Sequence, residues 1–201
     1  MKTGNRSRST TLLGLLTAIL LVMGMTPLGY LNIGPLAISL NMIPVAIGAA
    51  AMGPVGGAVL GAVFGMTSFL QSMGIGGISS MGAITFAISP VLTFVHRFVT
   101  RVVVGFLVGW IYKGMRKISS SAFAGSVAGL SAAILNTVLF MGTLILLFGQ
   151  EQAIHDMMKG QNVIEFVITL AGVNAVVEMI ASTLVTGALC AALERARLMR
   201  R

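Results

Sequence analysis

Four ionisable side chains lie inside long apolar segments of this sequence: His96, Arg97, Arg101 and Glu178. Arg97 and Arg101 are four residues apart, so a helix would place them on one face. An ionisable group within an apolar membrane segment is costly, and it usually faces a cavity or a charged partner. If Glu178 neutralises one arginine, a surplus positive charge remains, which is expensive to bury. The surplus predicts an anionic ligand.

Depth in the membrane helps to assign the two arginines, when residues are counted from the outer end of each segment at about 1.5 Å per residue. Arg101 and Glu178 are the deeper members, which favours a structural ion pair between them. Arg97 then remains for a ligand carboxylate, which the planar guanidinium group can bind through two hydrogen bonds. The alternative is that both arginines are structural. His96 points about 100° away from Arg97 on a helix, which favours packing.

Four neutral amides accompany the charged groups: Asn41, Gln71, Asn136 and Asn174. With the topology predicted below, all these polar groups lie in the outer half of the membrane or near its midplane. This asymmetry predicts a cup that opens to the outside. The predicted substrate contacts are Arg97, Asn136, Asn174, Asn41 and Gln71.

Signatures of catalysis are missing from the sequence. It has no G-x-S-x-G or H-E-x-x-H motif, no paired carboxylates and no Walker A motif. We therefore predict no catalytic residue, no metal and no cofactor. The single Cys190 excludes an internal disulfide and is expected to be a packing residue. Without an ATP site, and with few spans for a self-sufficient carrier, a transporter of this size would depend on other subunits.

The composition requires lipid as the solvent for much of the chain. Of its 201 residues, 56% are hydrophobic and 9% are charged, with a mean hydropathy of +0.98, whereas soluble domains carry about 25% charged residues. At about 20 residues per span, the length allows about six transmembrane helices. The expected fold is an all-α integral membrane protein, a compact six-helix bundle that forms one domain over 1–201. Continuous apolar runs disfavour a β-barrel.

Apolar runs and helix breakers predict helices at about 10–26, 36–52, 55–72, 86–113, 121–148 and 162–193. Gly53-Pro54 predicts a tight turn, 73–82 a flexible loop, and 149–161 the most polar loop. The first apolar run lacks a cleavage site of the A-x-A type, so we expect a retained helix rather than a signal peptide.

Basic residues predict the orientation. Ten of the 13 Lys and Arg form three clusters beside apolar segments, as the positive-inside rule expects of cytoplasmic ends. The N- and C-termini are therefore predicted to be cytoplasmic, with Lys159 outside, and nucleic-acid binding is disfavoured. The clusters are Lys2, Arg6 and Arg8; Lys113, Arg116 and Lys117; and Arg195, Arg197, Arg200 and Arg201. Tyr30 and Trp110 are expected to be interface aromatics.

Small residues recur four apart in two predicted helices. Gly57, Gly61 and Gly65 form one such stripe, and Gly14 and Ala18 form a shorter one. Small residues permit close approach of helices in lipid. Internal packing is favoured for the first stripe. For Gly14 and Ala18, a docking face for another protein is the alternative to packing.

Nearly the whole chain resembles the substrate-binding S components of energy-coupling factor (ECF) vitamin transporters. The matching segments are Leu28–Pro35, Asn41–Ala49, Met52–Pro54, Phe64–Ser68, Ser89–Arg97, Ile111–Lys113 and Leu135–Thr137. The sequence looks most like the pantothenate type. It departs at Asn41, where relatives often have His, and at His96, where Pro often precedes the arginine. The alternative substrate is another vitamin or precursor, such as riboflavin or a pyrimidine.

The resemblance implies a multi-pass subunit of a prokaryotic cell membrane that binds a water-soluble vitamin from outside. A gating loop with Gly29 and Gly34 would cover the site. The face with Gly14 and Ala18 would dock on a transmembrane scaffold subunit, and two cytoplasmic ATPases would drive inward release by toppling. A membrane enzyme, or an assembly protein without a small-molecule site, is the competing class.

Overall fold

The computed structural model describes residues 3–26, 30–32, 37–77, 79–158, 160–196 and 198. Within these residues, five helical segments are long and apolar enough to cross a membrane: Ser7–Met25, Met42–Ser72, Pro90–Met115, Ser121–Phe148 and Asn174–Arg195. The prediction of a helical membrane bundle is supported at this level. The count of six spans and the cytoplasmic termini remain predictions.

The elements follow one another as α1 (Thr3–Met25), β1 (Tyr30–Asn32), β2 (Ala37–Ser39), α2 (Met42–Ser72), α3 (Ser80–Ile88) and α4 (Pro90–Phe94). A π-helical turn (Val95–Val99) continues α4 into α5 (Thr100–Met115), so that Pro90–Met115 forms one span. The chain then forms α6 (Ser121–Phe148), α7 (Gln152–Met158) and α8 (Val163–Arg195).

The segment Met42–Ser72 (α2) consists of two helical arms that fold back on each other. Gly53 has φ 79° and ψ −168°, which interrupts the helix just before Pro54. A Cβ on Gly48 would collide with the side chain of Leu60, although a straight helix would separate these residues by about 18 Å. The predicted turn at Gly53-Pro54 is therefore confirmed. The arm 42–52 is about 16 Å long, short of the roughly 30 Å of a bilayer core.

The glycine stripe of α2 packs against the span Pro90–Met115. A Cβ on Gly61 would overlap the Arg101 carbonyl, and one on Gly65 would lie 2.8 Å from Phe98 Cα. The favoured interpretation of the stripe as internal packing is thus confirmed. Because backbone meets backbone here, the stripe sets the position of the arginine-bearing turn relative to α2.

The helical bundle includes one short pair of strands that the sequence did not predict, since β1 and β2 are antiparallel with Leu31 opposite Ile38. The helix predicted from residue 36 begins at Met42 instead. A short apolar run such as 36–40 fits a strand or a helix equally well, and periodicity cannot separate them.

The helix predicted at 86–113 and the loop predicted at 73–82 also need correction. The helix α3 begins at Ser80, within the predicted loop, and ends at Ile88, and the membrane span begins at Pro90. Ser89 separates them in an extended conformation and caps the new helix by accepting from the Leu92 N–H at 3.3 Å. Proline suits the first helical position because its missing N–H needs no partner there.

Side-chain bonds join α5, α6 and α8 near the basic ends of the helices. Arg116 pairs with Glu194, the one ion pair found among the described residues. The Tyr112 hydroxyl bonds Ser121 at 3.0 Å, and the Ser121 hydroxyl also lies 3.3 Å from the Cys190 carbonyl. Cys190 is fully buried, as expected of a packing residue.

Candidate functional site

The π-helical turn places two adjacent polar side chains in the interior. His96 is 0% and Arg97 3% exposed, although neighbours on an α-helix diverge by about 100°. The Thr100 hydroxyl, at the start of α5, donates back to the His96 carbonyl in this turn. Single π turns inside α-helices occur frequently at functional sites.

Arg97 reaches from this turn to α2 and α3. Its Nη1 donates to the Ser68 carbonyl at 3.2 Å and to the Ser68 hydroxyl at 3.0 Å, and its Nη2 donates to the Ser79 hydroxyl at 3.0 Å. Ser79 also caps α3 by accepting from the Gly82 N–H at 3.2 Å. An anion beside this guanidinium would be stabilised by the positive charge of Arg97. It would also be stabilised by the positive end of the α3 helix dipole.

The approach of α3 to Arg97 depends on a residue without a side chain. A Cβ on Gly82 would lie 2.8 Å from Arg97 Nη2 and 2.7 Å from the Ser72 hydroxyl oxygen. Gly82 therefore allows the α3 backbone to lie directly against the guanidinium.

Arg101 lies between aromatic rings. Its Cζ is 4.6 Å from the ring centroid of Phe64 and 4.8 Å from that of Phe140, and its Nη1 donates to the Arg97 carbonyl at 2.9 Å. Arg97 Cζ is 5.8 Å from the same Phe140 ring. Both guanidinium groups are thus held near the face of Phe140, where the ring quadrupole attracts a cation.

Glu178 links this cluster to the β-hairpin. Its carboxylate accepts from the Ser39 N–H at 2.6 Å, and the Asn136 side chain and the charge of Arg101 lie close enough to stabilise it. Among the described residues, Arg101 and Glu178 form no direct ion pair within 4.0 Å. The two groups therefore interact across a distance in this structure.

The remaining amides predicted to contact substrate are buried, with different partners. Asn41 Nδ2 donates to the Ser39 hydroxyl at 3.4 Å. Gln71 Nε2 donates to the Gly24 carbonyl and so ties α2 to α1. Asn174 is 7% exposed. The structure thus brings Asn41 to the same serine that bonds Glu178, whereas the Gln71 amide is engaged by α1.

Other predicted features lie away from this cluster. Gly14 and Ala18 are exposed on α1, and a Cβ on Gly14 would meet nothing within 4 Å. Trp110 is exposed, with Lys113 Nζ 4.9 Å from its ring, which fits an interface aromatic. Gly29 and Gly34 lie outside the described residues.

Sequence reasoning missed Ser68, Ser79, Phe140 and Thr143. Ser79 could have been found as a helix cap, but Phe140 resembles any other apolar residue of its helix. No group of three or more His, Cys, Asp or Glu side chains that could hold a metal occurs in the described part of the chain.

Comparison with characterised proteins gave no significant match. The family model described as "ECF transporter, substrate-specific component" matches residues 8–190. The matched region contains all the buried polar groups described above and most of α8. This chain therefore belongs to the family of substrate-specific components of ECF transporters, which are transporter subunits rather than enzymes.

Proposed function

We propose that this chain is the substrate-binding S component of an ATP-driven ECF importer, and that it takes up a small carboxylate vitamin, with pantothenate as the best candidate. The vitamin enters from outside and is delivered inward. Arg97 binds its carboxylate, and Asn136 and Asn174 hydrogen-bond its amide and hydroxyl groups. The loop with Gly29 and Gly34 gates the site.

The charge balance of the interior carries this proposal. The sequence has five acidic residues. Glu151, Asp156 and Glu165 are exposed, and Glu194 pairs with Arg116. Only Glu178 is buried with the two buried arginines, so the cluster has a net positive charge. An anion that enters the cluster would compensate this charge in a region of low dielectric constant.

The position of Arg97 supports a carboxylate as that anion. Its guanidinium adjoins the capped N-terminus of α3, so a carboxylate there would meet both a planar hydrogen-bond donor and the positive end of a helix dipole. The two serines that now accept from Arg97 are neutral, and a carboxylate would make stronger, charge-assisted bonds.

Native mass spectrometry and calorimetry of the detergent-purified protein test the proposed substrate. We expect one pantothenate per chain and no comparable binding of riboflavin or a pyrimidine. A protein that retains a different vitamin, or binds none of the three, would contradict the pantothenate assignment.

The exposed small residues of α1 support docking on a transmembrane scaffold subunit that works with two cytoplasmic ATPases. We expect Gly14→Leu or Ala18→Leu to abolish pantothenate uptake by cells, because side-chain bulk blocks close helix approach. Binding to the purified variant should persist. Gly142→Leu is the matched control, since Gly142 on α6 also has nothing within 4 Å. Equal loss of binding and uptake would assign the α1 face to internal packing.

The proposed six-span topology with both termini inside predicts the accessibility of introduced thiols. A cysteine at Lys159 should react with an impermeant reagent from outside, and one at Lys117 only from inside. The native Cys190 is fully buried and should contribute little label. The reversed labelling pattern would contradict the proposed orientation.

A further inference from the structure

His96 belongs to the same aromatic and charged cluster as the two arginines. Its ring centroid lies 4.2 Å from that of Phe140 and 6.1 Å from that of Phe148. Phe140 is also the ring faced by Arg97 and Arg101. The imidazole therefore lies close to both guanidinium groups, because all three side chains lie near the ring of Phe140.

The hydrogen bonds of Thr143 favour a proton on Nδ1 of His96. The Thr143 hydroxyl donates within α6, to the carbonyl of Leu139 at 2.7 Å or of Phe140 at 3.2 Å. A hydroxyl has only one hydrogen to donate. With that hydrogen given to the α6 carbonyl, the 2.8 Å bond between Thr143 Oγ1 and His96 Nδ1 uses the Nδ1 hydrogen, with the hydroxyl oxygen as acceptor.

The charge of the ring follows from its surroundings. An imidazolium would add a third positive charge close to Arg97 and Arg101, in an apolar environment, and both effects oppose it. A neutral ring with hydrogen on Nδ1 leaves a lone pair on Nε2, which makes Nε2 a hydrogen-bond acceptor.

This acceptor is buried, and no residue in the described part of the chain bonds it. Among the described residues, Nε2 of His96 has no hydrogen-bond partner, and neither does the fully buried Thr93 hydroxyl three residues earlier. A buried polar atom without a bond is costly, and packing alone would be served equally well by an aromatic ring without nitrogens.

We propose that His96 is a specificity-determining residue whose Nε2 accepts a hydrogen bond from an N–H or O–H group of the vitamin, next to the carboxylate held by Arg97. This inference rests on the proposed function. It narrows the ligand class to acids that carry a hydrogen-bond donor near the carboxylate. The bond to Thr143 and the two phenylalanine rings hold the acceptor in place before the ligand arrives.

A pair of probes that differ in one donor tests the proposal. In pantothenate, the donor nearest the carboxylate is the amide N–H, and the ester analogue replaces that N–H by oxygen. Wild-type protein should prefer pantothenate over the ester by roughly three- to tenfold. In His96→Asn, whose side-chain amide can still donate to Thr143, the two affinities should converge. His155→Asn is the matched control, at an exposed position of α7, and should retain the preference.

Three results would decide the matter. If His96→Asn weakens both probes equally, or if wild-type protein does not discriminate between them, His96 is a packing residue. If wild-type protein binds neither probe, the pantothenate proposal fails. In that case, nitrogen NMR of histidine-labelled protein tests the His96 inference without a ligand. Hydrogen on Nε2 of His96, or a doubly protonated ring, would overturn it.

Discussion

Arg97→Gln is expected to weaken pantothenate binding by roughly 10- to 150-fold, because a charge-assisted hydrogen bond in a dry site contributes about 1.5–3 kcal/mol. Its uncharged alcohol analogue should lose far less affinity. Glutamine can still donate to Ser68 or Ser79, which now accept from the guanidinium, so the local packing should survive. Calorimetry of both ligands in detergent measures the difference.

Arg101→Gln is the matched comparison, since it removes the same charge four residues away. The Arg101 guanidinium lies against Phe64 and Phe140, and its charge attracts Glu178. We therefore expect a lower melting temperature, with little dependence of affinity on ligand charge. Equal effects of Arg97→Gln on the acid and the alcohol would refute the carboxylate assignment. If the charge dependence belongs to Arg101→Gln, the two arginines have exchanged roles.

Gly61→Ala is expected to destabilise the protein by about 1–3 kcal/mol, although alanine is the better helix former by about 1 kcal/mol. The added Cβ would overlap the Arg101 carbonyl, and a backbone atom cannot move aside without shifting the whole span. The displacement should also move the arginines and weaken pantothenate binding. Thermal unfolding in detergent and calorimetry give the two readouts.

Gly142→Ala provides the control for that substitution, because a Cβ there would meet nothing within 4 Å. It should leave the melting temperature unchanged or raise it slightly. If Gly61→Ala behaves in the same way, α2 and the span Pro90–Met115 do not pack through their backbones. The glycine stripe then does not set the position of the turn that carries Arg97.

Several properties of this protein could be predicted from local or additive features of the chain. Burial in lipid follows from the summed apolar composition, and the turn at Gly53-Pro54 follows from two residues whose backbone preferences interrupt a helix. The spacing of Gly57, Gly61 and Gly65 by itself predicts a packing face. The excess of arginine over glutamate is likewise a count that needs no structure.

The partners of the polar groups could not be predicted in this way. Glu178 accepts from the Ser39 N–H, 139 residues away in sequence, and Arg97 donates to Ser68 on α2 and to Ser79 at the N-terminus of α3. Which groups meet depends on how helix faces and loops approach one another, and sequence spacing along one helix carries no information about that approach.

The strand at 37–39 has the same origin, because a short apolar run becomes a strand only where another segment pairs with its backbone. The Phe140 ring shared by His96, Arg97 and Arg101 exists for the same reason, since α6 brings an otherwise ordinary apolar residue to the charged turn.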